Sequence, residues 1–286
     1  MRAPGTTERL TRQVRVHGDR AVGREALRPV AVEEPLEIRV AGDAVAVTMR
    51  TPGDDARLAV GFLFAEGIIR SIDEVGGVAH CGHPGDEDYG NGLEVTAAPG
   101  VVLETEKVEA MRRGTLTTSA CGVCGRRSID DLVAACGTLN EGLVVAASVV
   151  SGAVAQLSSC QTNFPLTGGA HAAAVFDARG ALLAAFEDVG RHNAVDKAVG
   201  ALLYDRRLPS SPGAAGAPAI LAVSGRASFE IIQKAARARI PIVVSVSAAT
   251  SLAIDLAVRT GITLAAFARG RELNLCSRPE RVSGLD

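Results

Sequence analysis

Cys121 and Cys124 stand two residues apart in Thr118-Ser119-Ala120-Cys121-Gly122-Val123-Cys124-Gly125, a stretch of small and polar residues flanked by glycines. The thiolate is the reactive form of cysteine, and nearby cations or a helix N-terminus stabilise it. Arg126 and Arg127 follow directly, and Ser128 with Ile129, Leu132, Val133 and Cys136 predicts a helix starting there. Both influences are at hand. The stretch 114–125 buries little and reads as a mobile loop able to reach into a partner's active site. A thiol so placed can accept a sulfur atom as a persulfide and hand it on.

Other chemistries compete for this pair. Structural zinc needs four donors in a tetrahedron; His80, Cys81 and His83 offer candidates, but no second C-x-x-C accompanies them. No metal site is expected on that ground. A thioredoxin-like redox pair opens a helix directly after a strand, whereas threonine and serine precede Cys121. An inert pair of loop thiols is the plain alternative.

A second group of residues suits an anionic ligand. Val223-Ser224-Gly225-Arg226-Ala227-Ser228 lies between an apolar run and a helical pattern, where free N–H groups and the helix dipole favour negative charge. Thr167-Gly168-Gly169-Ala170-His171, Glu187-Asp188-Val189-Gly190-Arg191-His192-Asn193 and Phe267-Ala268-Arg269-Gly270-Arg271 share this layout. Ligands of open α/β sheets bind beyond the carboxyl ends of the strands, so three of these turns are expected to meet there. Arg191, Arg226, Arg269 and Arg271 would bind phosphates, with His192 and Asn193 available for hydrogen bonds.

The elements that position these residues follow from periodicity. Ile38, Val40, Val45, Val47 and Met49 alternate around Gly42-Asp43 as a hairpin. Thr51-Pro52-Gly53-Asp54 supplies N-cap chemistry for a helix carrying Leu58, Ala59, Phe62 and Leu63. Leu93–Val95 and Val101–Leu103 are short strand candidates, and Val144–Leu157 is a small-residue helix. Strands are expected at Ala172–Phe176, Leu182–Phe186, Ile220–Val223, Ile242–Val246 and Ile262–Ala266, with helices at Asn193–Tyr204, 228–238 and 251–259. Fully apolar strands alternating with helices imply a parallel sheet covered on both faces. A Pro/Ser/Gly/Ala linker runs from Leu208 to Pro218. The chain divides into a flexible arginine-rich arm at 1–30, an α+β domain at 31–142 ending in the C-x-x-C loop and its helix, and an α/β domain at 143–286.

Composition bounds the function. Of 286 residues 47% are hydrophobic, enough for a large core, yet aromatics are 3% and tryptophan is absent. A net charge of −2 argues against non-specific nucleic-acid binding. The longest apolar run, Leu143–Leu157, falls short of the roughly 20 residues of a spanning helix, and no secretory leader is evident. A cytoplasmic protein is expected, where thiols outnumber disulfides.

With these residues laid out, the sequence resembles the formate dehydrogenase accessory sulfurtransferase family, FdhD. The matching blocks are 34–40, 50–55, 61–68, Ser119–Gly125, Thr167–His171, Glu187–Lys197, Ser224–Glu230 and Phe267–Gly270, in order from about residue 34 to 281. The resemblance implies a sulfur carrier that takes sulfur from a cysteine desulfurase and delivers it to the bis-molybdopterin guanine dinucleotide form of the molybdenum cofactor, destined for the formate dehydrogenase catalytic subunit. Cys121 matches the persulfide-bearing cysteine and Cys124 its partner; the cofactor segment falls on Phe267, Ala268, Arg269, Gly270, Arg271 and Glu272. The same resemblance implies a homodimer and a cytidine-deaminase-like three-layer α/β/α second domain. Deaminase chemistry is excluded on the residues, because H-x-E is broken at Ala173 and Ala120 stands where proline precedes the first cysteine. A non-catalytic chaperone of the cofactor or apo-enzyme, and a zinc-dependent hydrolase, are the competing functions.

Overall fold

Residues 5–83, 85, 89–103, 130, 133–139, 142–210 and 213–285 are described by a computed structural model. Cys121, Cys124, the arginines after them and Ser128 lie outside the described residues.

The arginine-rich arm is not loose. Thr6–His17 (β1) and Arg20–Ala31 (β2) pair antiparallel from end to end around Gly18. The physical reason is alternation: Leu10, Val14 and Val16 share one face, and the arginines at 9, 15, 24 and 28 occupy the other.

Glu34–Val40 (β3) and Asp43–Arg50 (β4) form the expected hairpin, with Ala41 and Gly42 in the left-handed region at its turn. Val75–His80 (β5) and Gly92–Ala97 (β6) complete a four-stranded sheet in the order β4-β3-β6-β5. Val101–Leu103 forms no strand. Gly100 turns the chain at φ +79°, and the Val101 N–H closes that turn on Ala98. Helix α1 spans Asp55–Ala65 and buries Leu58, Leu63 and Phe64. Asp54 stands at its N-cap but does not cap it: the residue is left-handed, and its carboxylate pairs with Arg57 instead.

The second half opens with Val145–Ala146 (β7) and Ala147–Cys160 (α2), followed by a short turn of helix at Phe164–Thr167 (α3). Then come His171–Phe176 (β8), Leu182–Asp188 (β9), Arg191–Tyr204 (α4), Ile220–Val223 (β10), Phe229–Arg237 (α5), Ile242–Ser245 (β11), Ser251–Thr260 (α6), Thr263–Arg269 (β12), Glu272–Ser277 (β13) and Val282–Ser283 (β14). The six-stranded sheet runs β13-β12-β11-β10-β8-β9.

Within this sheet only β10, β11 and β12 pair in parallel. β8, β9 and β13 run antiparallel, because tight turns join β8 to β9 and β12 to β13 and leave no room for a crossover. Strand β12 is not the last, and the expected turn at Phe267–Glu272 is the bulged end of the β12–β13 hairpin.

Two apolar layers cover this sheet. Helices α4, α5 and α6 pack on the face bearing Val175, Leu221, Val243 and Leu264. Helix α2 covers the face bearing Ala174, Phe176, Ala222 and Val244 with Val150, Ala153 and Leu157. The α/β/α layering is therefore as the resemblance implied. Helix α1 joins the first layer by close packing on α4. A Cβ added to Gly61 would lie 1.9 Å from the Asp196 carbonyl, and one on Gly200 would lie 1.9 Å from that of Arg57. No helix among the described residues is long and apolar enough to cross a membrane.

Candidate functional site

Strand directions bring the loops together. β8 is antiparallel to β10 and pairs Ala173 with Val223, so His171 begins at the edge where β10 ends. β9 is antiparallel to β8 and pairs Asp188 with His171, so Arg191 at the start of α4 reaches the same edge. β11 and β12 run parallel to β10 and end there too. The Phe267 N–H donates to Ser247 at 2.9 Å and the Ala227 N–H to Ala248 at 3.0 Å, which stitches these loops to one another.

Gly225 lies at the centre of this edge. A Cβ on it would meet His171 Nδ1 at 3.2 Å and the Arg191 Cβ at 3.5 Å, so three separate turns touch through a residue without a side chain. Ser224 is committed to the sheet, its hydroxyl accepting from the Ala172 N–H at 2.9 Å and its own N–H donating to Ala172 at 3.0 Å. Arg191 is half-buried, and its Nε is buried with no hydrogen-bond partner among the described residues. That orphaned donor fits an anion arriving from outside. Arg226, Arg269, Arg271 and Glu272 are exposed at the rim, and Phe267 is half exposed with φ +52°.

His192 faces inward from the first turn of α4. Its Nδ1 lies 2.5 Å from Glu230 Oε2 and its Nε2 3.1 Å from Ser228 Oγ. Burial lowers its pKa, against the opposing pull of Glu230, and burial followed by Arg191 lowers that of His171. Both imidazoles are therefore neutral at pH 7.

The Asn193 side chain is hydrogen-bonded within the protein. Its amide donates to the Met49 carbonyl at 2.7 Å and to Asp188 Oδ1 at 3.0 Å, and its oxygen accepts from Thr48 Oγ1 at 3.1 Å. Burial turns it into a clamp on β4. Gly190 makes room for it, since a Cβ there would stand 2.7 Å from the Asn193 nitrogen.

Sequence reasoning passed over Asp188, Lys197, Ser228 and Glu230 as individuals. For Ser228 and Glu230 the usable signal was a hydroxyl and a carboxylate flanking Phe229 at a helix start, on the edge where His192 was expected. Of the candidate zinc ligands, His80 approaches Asp55 at 3.7 Å and tilts against Tyr89. Among the described residues no cluster of histidine, cysteine and carboxylate could hold a metal.

Comparison with known proteins bears on these features. The model of the FdhD/NarQ family matches residues 31–283. The sulfur carrier protein FdhD of Anaeromyxobacter sp. (strain K) is 53% identical over 253 residues, covering 88% of this chain and 88% of that protein. The protein of the same name from Mycobacterium tuberculosis (strain ATCC 25618 / H37Rv) is 45% identical over 262 residues, covering 89% and 91%. A crystal structure of a putative formate dehydrogenase accessory protein from Desulfotalea psychrophila superimposes with a TM-score of 0.69 at 24% identity, covering 96% of this chain and 99% of that one.

Proposed function

The chain belongs to the FdhD/NarQ family, and from that premise we propose that it is a sulfur carrier in the maturation of formate dehydrogenase. The observation that carries this reading is the 53% identity to a sulfur carrier protein over 253 residues. Cys121 is the acceptor. Its thiolate attacks the terminal sulfur of a cysteine desulfurase persulfide, a new S–S bond forms on Cys121, and the desulfurase thiolate leaves. Attack of the Cys124 thiolate on the Cys121 Sγ then forms a disulfide and releases hydrosulfide, and a thiol reductant restores the pair.

The recipient is the molybdenum cofactor in its bis-guanine-dinucleotide form, handled as cargo before insertion into the formate dehydrogenase catalytic subunit. The loop edge supports this assignment chemically. Arg191 offers a buried donor with no partner among the described residues, Gly225 allows a close backbone approach, and Arg226, Arg269 and Arg271 ring the rim. Phe267–Glu272 with Ser224, Gly225, Arg226, Arg191 and His192 is the segment set assigned to the dinucleotide. The protein acts as a homodimer in the cytoplasm, on this reading.

Intact mass tests the central step. After incubation with desulfurase and cysteine, the wild-type mass rises by the mass of a sulfur atom and Cys121→Ala gains nothing. A gain that persists in Cys121→Ala excludes the assignment.

A further inference from the structure

Ser228 occupies the N-cap of α5 in an extended conformation, φ −97° and ψ 170°, yet its side chain caps nothing. Thr250 has the same role and a similar backbone at α6, and there the hydroxyl accepts from the Ala253 N–H in the ordinary way. The Ser228 hydroxyl is directed instead to His192 Nε2 at 3.1 Å, while His192 Nδ1 lies 2.5 Å from Glu230 Oε2. A carboxylate at Nδ1 holds the ring proton there, which leaves Nε2 to accept from the serine. Nucleophile, base and orienting carboxylate are thus connected in that order.

We propose that Ser228, His192 and Glu230 form a nucleophilic triad giving the protein esterase activity, distinct from sulfur carriage, toward carboxylic esters that bear a negative charge. Ser228 is partly exposed between β10 and α5, on the edge that carries Arg226 and Arg191. Those arginines favour the anionic ester. The Phe229 N–H, next after the nucleophile at the start of a nine-residue helix, is placed as an oxyanion donor.

In the reaction the Ser228 Oγ–C bond forms as the hydroxyl proton passes to His192 Nε2. The C–O bond to the leaving alcohol then breaks, and the alcohol takes that proton. Water, deprotonated by His192, cleaves the acyl-serine to release the acid. Burial keeps His192 neutral and able to act as base; Glu230 opposes that lowering, and Arg191 and Lys234 add to it.

A fluorophosphonate probe reads the first step directly, because the Ser228 Oγ–P bond forms as P–F breaks and fluoride leaves. Full-length protein is labelled and the modified peptide mapped by mass spectrometry. The expected result is label on Ser228, absent in Ser228→Ala and slowed about 100-fold or more in His192→Gln. Glu230→Gln, checked for folding by its melting curve, is expected to label about 10-fold or more slowly, with the rate–pH profile moved to lower pH. Hydrolysis of an anionic nitrophenyl ester should follow the same order. No label on Ser228 of folded wild-type protein, or an unchanged rate in both His192→Gln and Glu230→Gln, overturns the proposal. The assay uses no desulfurase, so its failure leaves the persulfide test untouched.

Discussion

The ammonium of Lys197 and the carboxylate of Asp188 lie 2.8 Å apart, 3% and 0% exposed, and both also bind Thr51. Asp188 accepts from the Thr51 N–H at 3.1 Å, and Lys197 donates to the Thr51 carbonyl at 2.8 Å. The ion pair therefore clamps the end of β4 onto β9 and α4, directly behind the loop edge. Removing one partner of such a pair leaves an uncompensated buried charge, which costs about 3–5 kcal/mol. Lys197→Met is expected to lose that much in chemical denaturation. Asp188→Leu/Lys197→Met should lose less than the sum of the single changes, because the two residues share one interaction. Additive losses would show that the pair is not coupled.

Two helical glycines should respond to alanine with opposite signs. Alanine is preferred over glycine in a helix interior by about 1 kcal/mol. At Gly152 in α2 no atom of the described residues lies within 4 Å of an added Cβ, so Gly152→Ala should gain up to about 1 kcal/mol. At Gly200 the added Cβ would lie 1.9 Å from the Arg57 carbonyl, and backbone cannot rotate away. Overpacking of this kind costs about 1–3 kcal/mol or more, which outweighs the propensity gain. Gly200→Ala should therefore lower the melting temperature while Gly152→Ala raises it. A shift of the same sign in both would refute the close crossing of α1 and α4.

These contrasts mark what the residue pattern could disclose. The strands at 220–223, 242–245 and 263–269 were legible because the runs 220–223, 242–246 and 262–266 are nearly continuously apolar, and the β3–β4 hairpin because its alternation breaks at a turn. Arg191 and Gly225 were legible as neighbours on one loop edge because both lie in turns between a strand and a helix. The role of Asn193 was not, since its partners Thr48 and Met49 are remote in sequence and only the packed β4–α4 interface joins them. Nothing in the sequence around Gly61 and Gly200 disclosed the close α1–α4 crossing that they accommodate. The β1–β2 hairpin was missed because its apolar residues are few and exposed: Leu10 and Val16 remain 65% and 68% accessible. The Cys121–Cys124 pair lies outside the described residues, so its reading still rests on sequence.

Lys234 makes stability depend on pH. It is buried between α1, α4 and α5, bonded to Asp196 at 2.7 and 2.9 Å, with Glu66 and Glu230 close enough to act on it. Burial pushes its pKa down, but the carboxylates, Asp196 foremost, more than offset this and keep it charged. Burial pushes Asp196 up to about 6 and raises Glu66 as well, with Lys234 opposing both. Lys234→Met removes the opposing charge, so both carboxyls rise further. Between the ordinary value of 3.8 for Asp196 and its folded value, the folded variant holds a proton that the unfolded chain has released. Its stability is greatest below that window and falls as pH rises through it. The loss against wild type should approach about 3–5 kcal/mol near pH 8 and be smaller near pH 5. Urea denaturation at the two pH values measures it, and a pH-independent loss would contradict the cluster.

Binding of a guanine nucleotide at the loop edge should tighten as pH falls from about 7.5 to about 6. Without ligand, His171 and His192 lie below the ordinary histidine value of 6.5, both chiefly through burial, and Arg191 lowers both further. A bound phosphate neutralises Arg191 and favours imidazolium, so bound values exceed free ones and the complex takes up protons between them. Calorimetry with GDP in buffers of differing ionisation enthalpy reads this uptake directly. Arg191→Met should weaken binding by about 10- to 100-fold, the worth of a charge-assisted hydrogen bond of ~1.5–3 kcal/mol. It should also shrink the proton uptake, because His171 then starts from a higher value. Affinity that ignores pH in the wild type, or survives Arg191→Met unchanged, would move the nucleotide away from this edge.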